Sequence, residues 1–336
     1  MTARLAQVAA QAGVSEATVS RVLNERPGVA ESTRQAVLTA LDVLGYDRPS
    51  RLRESAAGMV GLIVPELSNP VFPTFAQVIE TGLVVSGYMP LLCTQTPGGV
   101  QEDDYLRMLL DRGVSGVVFV SGLHADTASD PKRYVRLRDR GLPLVLINGY
   151  QPDVDAPCIS NDDAASIELT VSHLTALGHT RLGLAIGPER FRPVERKTAA
   201  FGAAVRRHVG PGAPAPVENS VFSVEGGYAA AGRLLDAGVT AIVCGSDPMA
   251  LGAVRAVRDR GLDVPRDVSV VGSDDSPLMA FTDPPLTTVR QPVQAMGDAA
   301  VRALVDEIAG HPTPRGEFLF RPELVVRAST GAVPAR

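Results

Sequence analysis

Apolar residues in the first 46 positions recur at helical spacing. Leu5, Val8, Ala9 and Ala12 form one stripe. Gly13 interrupts it, because glycine enters a left-handed turn without steric cost. Ser15 then stands as an N-cap for a second helix, whose buried face would hold Val19, Val22 and Leu23. A third helix is predicted over 28–45, capped by Ser32 or Thr33, with Val37, Leu38, Leu41 and Leu44 inward. From residue 59 the pattern changes. Apolar runs at 59–64, 89–94, 116–120, 143–148, 182–187, 241–245 and 268–272 read as strands. Helical stretches lie near 73–86, 101–112, 131–140, 162–177, 194–208, 225–237 and 247–260. Such alternation predicts parallel sheets covered on both faces. A TIM barrel has the same alternation. The break at 150–161 and the Pro-rich return at 284–292 favour two open sheets joined by crossovers.

Composition narrows this little. The 336 residues are 45% hydrophobic and 21% charged, a globular balance long enough for two or three domains. No apolar run approaches the roughly 20 residues of a membrane span. MTARLAQVAA lacks a signal-peptide layout, so a cytoplasmic protein is expected. Cys93, Cys158 and Cys244 lack metal spacing and read as buried free thiols. Lys132 and Lys197 are the only lysines. Net charge is −5, yet residues 1–55 carry seven arginines against six acids, +1. DNA affinity rests mainly on phosphate neutralisation. One such unit would therefore bind DNA weakly, and a dimer would be needed.

Two short helices joined by a glycine turn make a helix-turn-helix, whose second helix meets base edges in the major groove. Here it would present Glu16, Ala17, Thr18, Ser20 and Arg21. Helical hairpins are common, and the wording decides. AGVSEATVSRVLN, then Val29, Thr33, Arg34 and Gly45–Tyr46, resembles the headpiece of the LacI/GalR family of bacterial transcriptional regulators. Gln7 departs from it, since the family usually has Asp there. GLIVPELSNPVF, HLTALGHTRLGL, DPMALGAVRA, VPRDVSVVGSDD and PPLTTVRQP resemble the family's periplasmic-binding-protein-like core.

The resemblance covers nearly the whole chain and implies an architecture. An all-α helix-turn-helix headpiece would occupy 1–46 and a hinge or linker 47–58. An α/β two-lobed core of two doubly wound parallel sheets would span 59–330. Its first lobe would hold 59–160 and 290–320, its second 161–289 and 321–330. LLCTQTPGG, VSGLHADT and FTDPPLTTVRQP resemble the maltose regulators of actinobacteria, which implies maltose or a maltodextrin as effector. No leucine heptads follow PELVVRASTGAVPAR, so a homodimer is expected rather than a dimer of dimers.

On this reading the partners are a near-palindromic operator, a sugar effector and a second copy, with no membrane, cofactor or metal. Arg21 would hold a guanine, Glu16 a cytosine amine, and Ala17 a thymine methyl. Ser15, Thr18, Asn24 and Thr33 would position phosphates. In the family the linker folds on DNA and a leucine wedges into the minor groove. DRPSRLRESAAG lacks the usual A-R-S-L wording and is shorter. Counting back from the strand puts Leu52 at the wedge; counting forward from Tyr46 puts Ser55 there. Leu52 is preferred, because a serine cannot replace a stacking contact.

Ligands of open α/β lobes sit outside the carboxyl ends of the strands. Those ends offer Asn69, Phe72, Thr94, Gln95, Ser121, Asn148 and Tyr150. Further along they offer Asn161, Asp162, Arg196, Phe222, Ser246, Asp247 and Asp274. Asp, Arg and Asn suit the hydroxyl pairs of a sugar, and Phe72 and Phe222 its C–H face. The resemblance places Arg196, Asp247 and Asp274 at effector positions, with Ser273 where the family often has an aromatic. Asp162, Asp163 and Asp247 could instead cap helices. His173 and His179 lack a third metal ligand and read as structural; Asp103–Asp104 reads as a solvated face. No nucleophile elbow or phosphate loop is present. A solute-binding protein would need an export signal and no headpiece. A sugar- or nucleoside-processing enzyme would need a catalytic constellation. Neither is indicated.

Overall fold

A computed structural model of the chain describes residues 2–23, 28–44, 58–95 and 99–333. Asn24, Leu52 and all of the linker except Gly58 lie outside the described residues. Two compact units result, Met1–Ala56 and Ala57–Arg336.

The first unit holds α1 (Thr2–Ala12), α2 (Glu16–Leu23) and α3 (Glu31–Val43). Its core is Val8, Ala9, Val19, Val22, Val37, Ala40 and Leu41. Gly13 turns the chain at φ +66°, and the Val14 amide closes α1 on the Ala9 carbonyl at 3.0 Å. The Ser15 hydroxyl accepts the Thr18 amide at 3.2 Å, the cap that the sequence suggests. The third helix differs at its start. It begins at Glu31, with the Arg34 amide on the Ala30 carbonyl, so Ser32 and Thr33 lie inside its first turn rather than at the cap position.

The second unit contains two six-stranded sheets, not a barrel. The first sheet takes β1 (Gly58–Val64), β2 (Tyr88–Thr94), β3 (Gly116–Val120), β4 (Leu144–Ile147), β5 (Pro157–Asn161) and β11 (Gly316–Phe320). Its order is β11-β5-β4-β3-β1-β2, all parallel. The second takes β6 (Leu182–Ile186), β7 (Val217–Asn219), β8 (Ala241–Cys244), β9 (Ser269–Asp274), β10 (Thr287–Arg290) and β12 (Glu323–Val325). Its order is β12-β10-β9-β8-β6-β7, with only β12 antiparallel. The chain crosses between lobes at 161–163, 290–293 and 320–323.

Helices cover both faces of each sheet, which is why most of the central strands are apolar along their length. In the first lobe α4 (Val71–Val85) and α11 (Val293–Ile308) bury Phe75, Ile79, Met296 and Leu304 on one face. On the other, α5 (Glu102–Asp111) and α6 (Lys132–Asp139) bury Leu109 and Tyr134. In the second lobe α7 (Asp163–Ala176) and α8 (Arg192–His208) bury Val171 and Phe201. The opposite face packs α9 (Val224–Asp236) and α10 (Asp247–Asp259) through Ala230, Leu234, Ala253 and Val257. His179 bonds Thr240, Ser269 and the Gly331 carbonyl, and His173 bonds Thr330, so both histidines pin the chain end.

The α9–α10 crossing depends on glycine. A Cβ on Gly252 would stand 1.9 Å from the Val224 carbonyl oxygen and 2.6 Å from the Tyr228 amide nitrogen. Both are backbone and cannot swing aside. Gly252→Ala is therefore expected to destabilise the core by about 3 kcal/mol, the upper end for overpacking. Urea unfolding checks this; a loss below about 0.5 kcal/mol would show that the helices can part freely.

Candidate functional site

Two surfaces carry chemistry. On α2, Val19 and Val22 face the core, while Glu16, Ala17 and Arg21 are exposed. Thr18 and Ser20 are part-buried between them, and Thr33 is part-buried in α3. The Ser15 and Thr18 hydroxyls share a 2.9 Å hydrogen bond. The exposed side of α2 thus presents a carboxylate, a methyl and a guanidinium, groups able to read base edges.

The second surface is a cavity of about 710 Å³ between the lobes of the core. Every parallel strand order here reverses beside its first strand, and the cavity lies at the carboxyl ends, where such folds bind ligands. Asn69, Phe72, Gln95, Ser121, Asn148 and Asn161 line it from the first lobe; Phe222, Ser246 and Asp274 line it from the second. Ser246 also caps α10 through the Met249 amide. Phe222 has a built seat. A Cβ on Gly187 would lie 2.0–2.6 Å from three ring atoms, so only glycine lets the ring rest there.

Backbone strain collects at this place. Ser121, Asn148 and Asp274 have φ of 45°, 58° and 112°, and Asp275 follows at 55°. Non-glycine residues hold such angles only where the surroundings impose them. A string of amides fixes three of the lining groups. The Asn161 amide donates to Asn148 Oδ1 at 3.0 Å, and Asn148 Nδ2 donates to Gln291 Oε1 at 3.3 Å. Gln291 Nε2 donates in turn to Asp274 Oδ1 at 2.6 Å. The lobes are thus joined through the 290–293 crossover. They also meet at the rim. The Thr127 amide donates to the Arg190 carbonyl at 2.7 Å, and Arg190 Nε reaches Asp126 at 2.9 Å.

The floor is electrostatically unusual. Lys197, only 9% exposed, lies 3.6 Å from Asp163. Burial pushes the Asp163 carboxyl up to about 6 and the Asp274 carboxyl up to about 7, and the Lys197 charge opposes both shifts. Phe191, Gln291, Asp163 and Lys197 also line the cavity, though the sequence does not mark them as ligand contacts.

Two expected effector residues do not line it. Arg196 forms a bidentate pair with Glu317 of β11, at 2.6 and 2.9 Å. Successive helix residues point about 100° apart, so Arg196 and Lys197 cannot share a face. Lys197 stands one turn before buried Phe201, and that spacing was the available signal. Asp247 is wholly buried behind the wall, accepting from Thr288 Oγ1 at 2.6 Å and from the Ser276 amide at 2.7 Å. It neither caps α10 nor reaches the cavity. Asp162 caps α7 through the Ala165 amide, and Asp163 is the acid that faces inward. Thr94 and Tyr150 also lie off the lining; Tyr150 packs on the first-lobe core. No group of three or more metal-ligating side chains occurs among the described residues.

Known proteins share this arrangement. A model of the bacterial regulatory proteins of the lacI family matches residues 4–49, and one of the periplasmic binding protein-like domain matches 171–330. The transcriptional regulator reg1 of Streptomyces lividans is 61% identical, over 99% of this chain and 98% of its own. The regulator MalR of Streptomyces coelicolor is also 61% identical, over the same shares. A complex of the regulator CelR with cellobiose superimposes with a TM-score of 0.71 at 30% identity, covering 97% of this chain and 99% of that one. A lac repressor dimer bound to operator and the anti-inducer ONPF gives 0.71 at 28% identity, covering 97% and 98%. Headpiece, two-lobed core and full-length relatives agree, and the chain belongs to the LacI family of bacterial regulatory proteins.

Proposed function

We propose that this protein is a dimeric, sequence-specific transcriptional repressor whose operator affinity is set by a sugar bound between the core lobes. The carrying observation is one chain that joins an exposed reading helix to a cavity lined from both lobes. Ser15, Glu16, Ala17, Thr18, Ser20, Arg21 and Thr33 serve the operator, with Asn24 and the Leu52 wedge as further contacts. The proposed headpiece is 1–46 and the proposed hinge or linker 47–58.

The mechanism is a shift between two core states. A ligand touching both lobes favours the closed one, which the Asp126–Arg190 and Arg196–Glu317 pairs also hold. Closure turns the first lobes against each other across the dimer, the hinges separate and unfold, and operator affinity drops. The proposed effector is maltose or a maltodextrin. A relative carries the name MalR, and a solved relative holds cellobiose. A cavity of about 710 Å³ is also within the usual range for small-molecule sites. Phe72 and Phe222 offer ring faces; Asn161, Lys197 and Asp274 offer polar groups.

The protein is proposed to work in the cytoplasm, where operators are. No described helix is long and apolar enough to cross a membrane. It is proposed not to be an enzyme, and incubation with maltotriose should release no glucose. The principal test is selection of genomic DNA fragments by the purified protein, with and without maltotriose. Enrichment of one near-palindromic site, lost on adding the sugar, is the expected result. Absence of any enriched site in both arms would overturn the DNA-binding reading.

A further inference from the structure

Beneath the first-lobe side of the cavity lies a carboxylate that nothing so far has used. Glu102, at the start of α5, is wholly buried. Its two neighbours in sequence, Asp103 and Asp104, are exposed and paired with Arg133 and Arg107. Among the described residues Glu102 has no ion pair. It has donors instead. Oε2 accepts the Leu123 amide at 3.0 Å and Gln95 Nε2 at 3.1 Å. Oε1 accepts the Tyr134 hydroxyl at 2.5 Å.

An ionised carboxylate can only accept. The Gln95 amide is oriented to match, with its NH2 end toward Glu102. Gln95 lines the cavity. No donor among the described residues reaches its Oε1. The atom left for the cavity is therefore a carbonyl oxygen.

We propose that Glu102 is a positioning residue that fixes Gln95 as a hydrogen-bond acceptor, so the effector must present a donor, a hydroxyl, at that point. The same carboxylate holds the start of the 121–127 loop through Leu123. One buried group thus orients Gln95 and anchors the loop that carries Ser121 into the cavity and Thr127 to the rim. The inference rests on the sugar-effector reading for its ligand, but not for the orientation of Gln95.

The test uses the full-length protein and two readouts. The first needs no ligand. With 15N-glutamine labelling, the Gln95 side-chain amide should exchange with water slowly in the parent protein. Glu102→Gln, whose new amide can donate as well as accept, should speed that exchange at least tenfold. Glu102→Asp, which keeps the acceptor, should retain part of the protection. Solvent-rate exchange in the parent overturns the proposal whatever the effector is. The second readout is selectivity between maltotriose and its mono-deoxyfluoro analogues, since fluorine cannot donate. One fluoro position should cost the parent tenfold or more in affinity, and Glu102→Gln should reduce that discrimination to about threefold or less, because Gln95 can then turn. Equal discrimination in both proteins overturns the proposal. Protection of the Gln95 amide without any maltotriose binding would uphold the positioning role and refute only the identity of the sugar.

Discussion

Lys197→Met is expected to cost the core about 3–5 kcal/mol at about pH 8 and much less at about pH 5.5, as for a broken buried pair. Lys197 is the cation among the cavity-lining charges Glu66, Asp163 and Asp274. Both buried aspartates are raised from the usual 3.8 by burial, to about 6 and about 7, and the lysine lowers each. A carboxyl raised in the folded state binds more protons there than in the unfolded chain. Stability therefore falls as pH rises from the unfolded value through the folded one, and the penalty is complete above about 7. Without Lys197 both carboxyls rise further, so the penalty at alkaline pH grows. Near pH 5.5 both are largely neutral in the variant and the lysine is hardly missed. Buried His124, lowered to about 4, works in the opposite direction below its usual 6.5, but equally in both proteins. Urea unfolding of parent and variant at the two pH values measures the difference. An equal cost at both would mean that the lysine acts through packing of its stem.

Arg21→Ala should weaken operator binding by about 1–3 kcal/mol for each headpiece. A dimer on a palindrome makes the contact twice, so the complex loses about 2–6 kcal/mol, a factor of tens to tens of thousands. Arg21 is exposed, so the fold of the headpiece should be unaffected. Preference should relax at one symmetric pair of base positions and persist elsewhere. Fragment selection with the variant reads both effects. Unchanged preference would show that Arg21 holds only phosphate, or nothing.

Elements that announce themselves locally were readable in the sequence. The apolar runs of β1, β3, β4, β6, β8 and β9 are buried on both faces, and that makes them continuous; β2 is a half-exposed edge strand that its apolar run still reveals. Four of the five strands that went unseen carry no such run, and the fifth, β11, is a half-exposed edge strand. β5 is PCISN and β10 is TTVR, paired centrally yet rich in polar side chains that bond across the lobe. β7 is only VEN, and β12 is ELV on an edge. Helix α11 has a plain helical pattern, but it lies in the segment read as a return to the first lobe.

The cavity was partly legible because strand ends point to it. Phe72, Gln95, Ser121, Asn148, Asn161, Phe222, Ser246 and Asp274 all line it. Two of the failures were of register: Arg196 for Lys197 and Asp162 for Asp163 are each one residue off. Asp247 failed differently, because Thr288 and the Ser276 amide hold it behind the wall. Glu102 was invisible for another reason. It sits in a run of three acids, and only the fold shows which of them is buried.

The central claim is that cavity and operator are linked through one two-state core. Calorimetric titration of maltotriose into the protein, alone and saturated with its selected operator, tests it most directly. Linkage is reciprocal and typically worth about 1–3 kcal/mol, so operator should weaken sugar binding about 5- to 150-fold. Equal sugar affinity with and without operator would contradict the account.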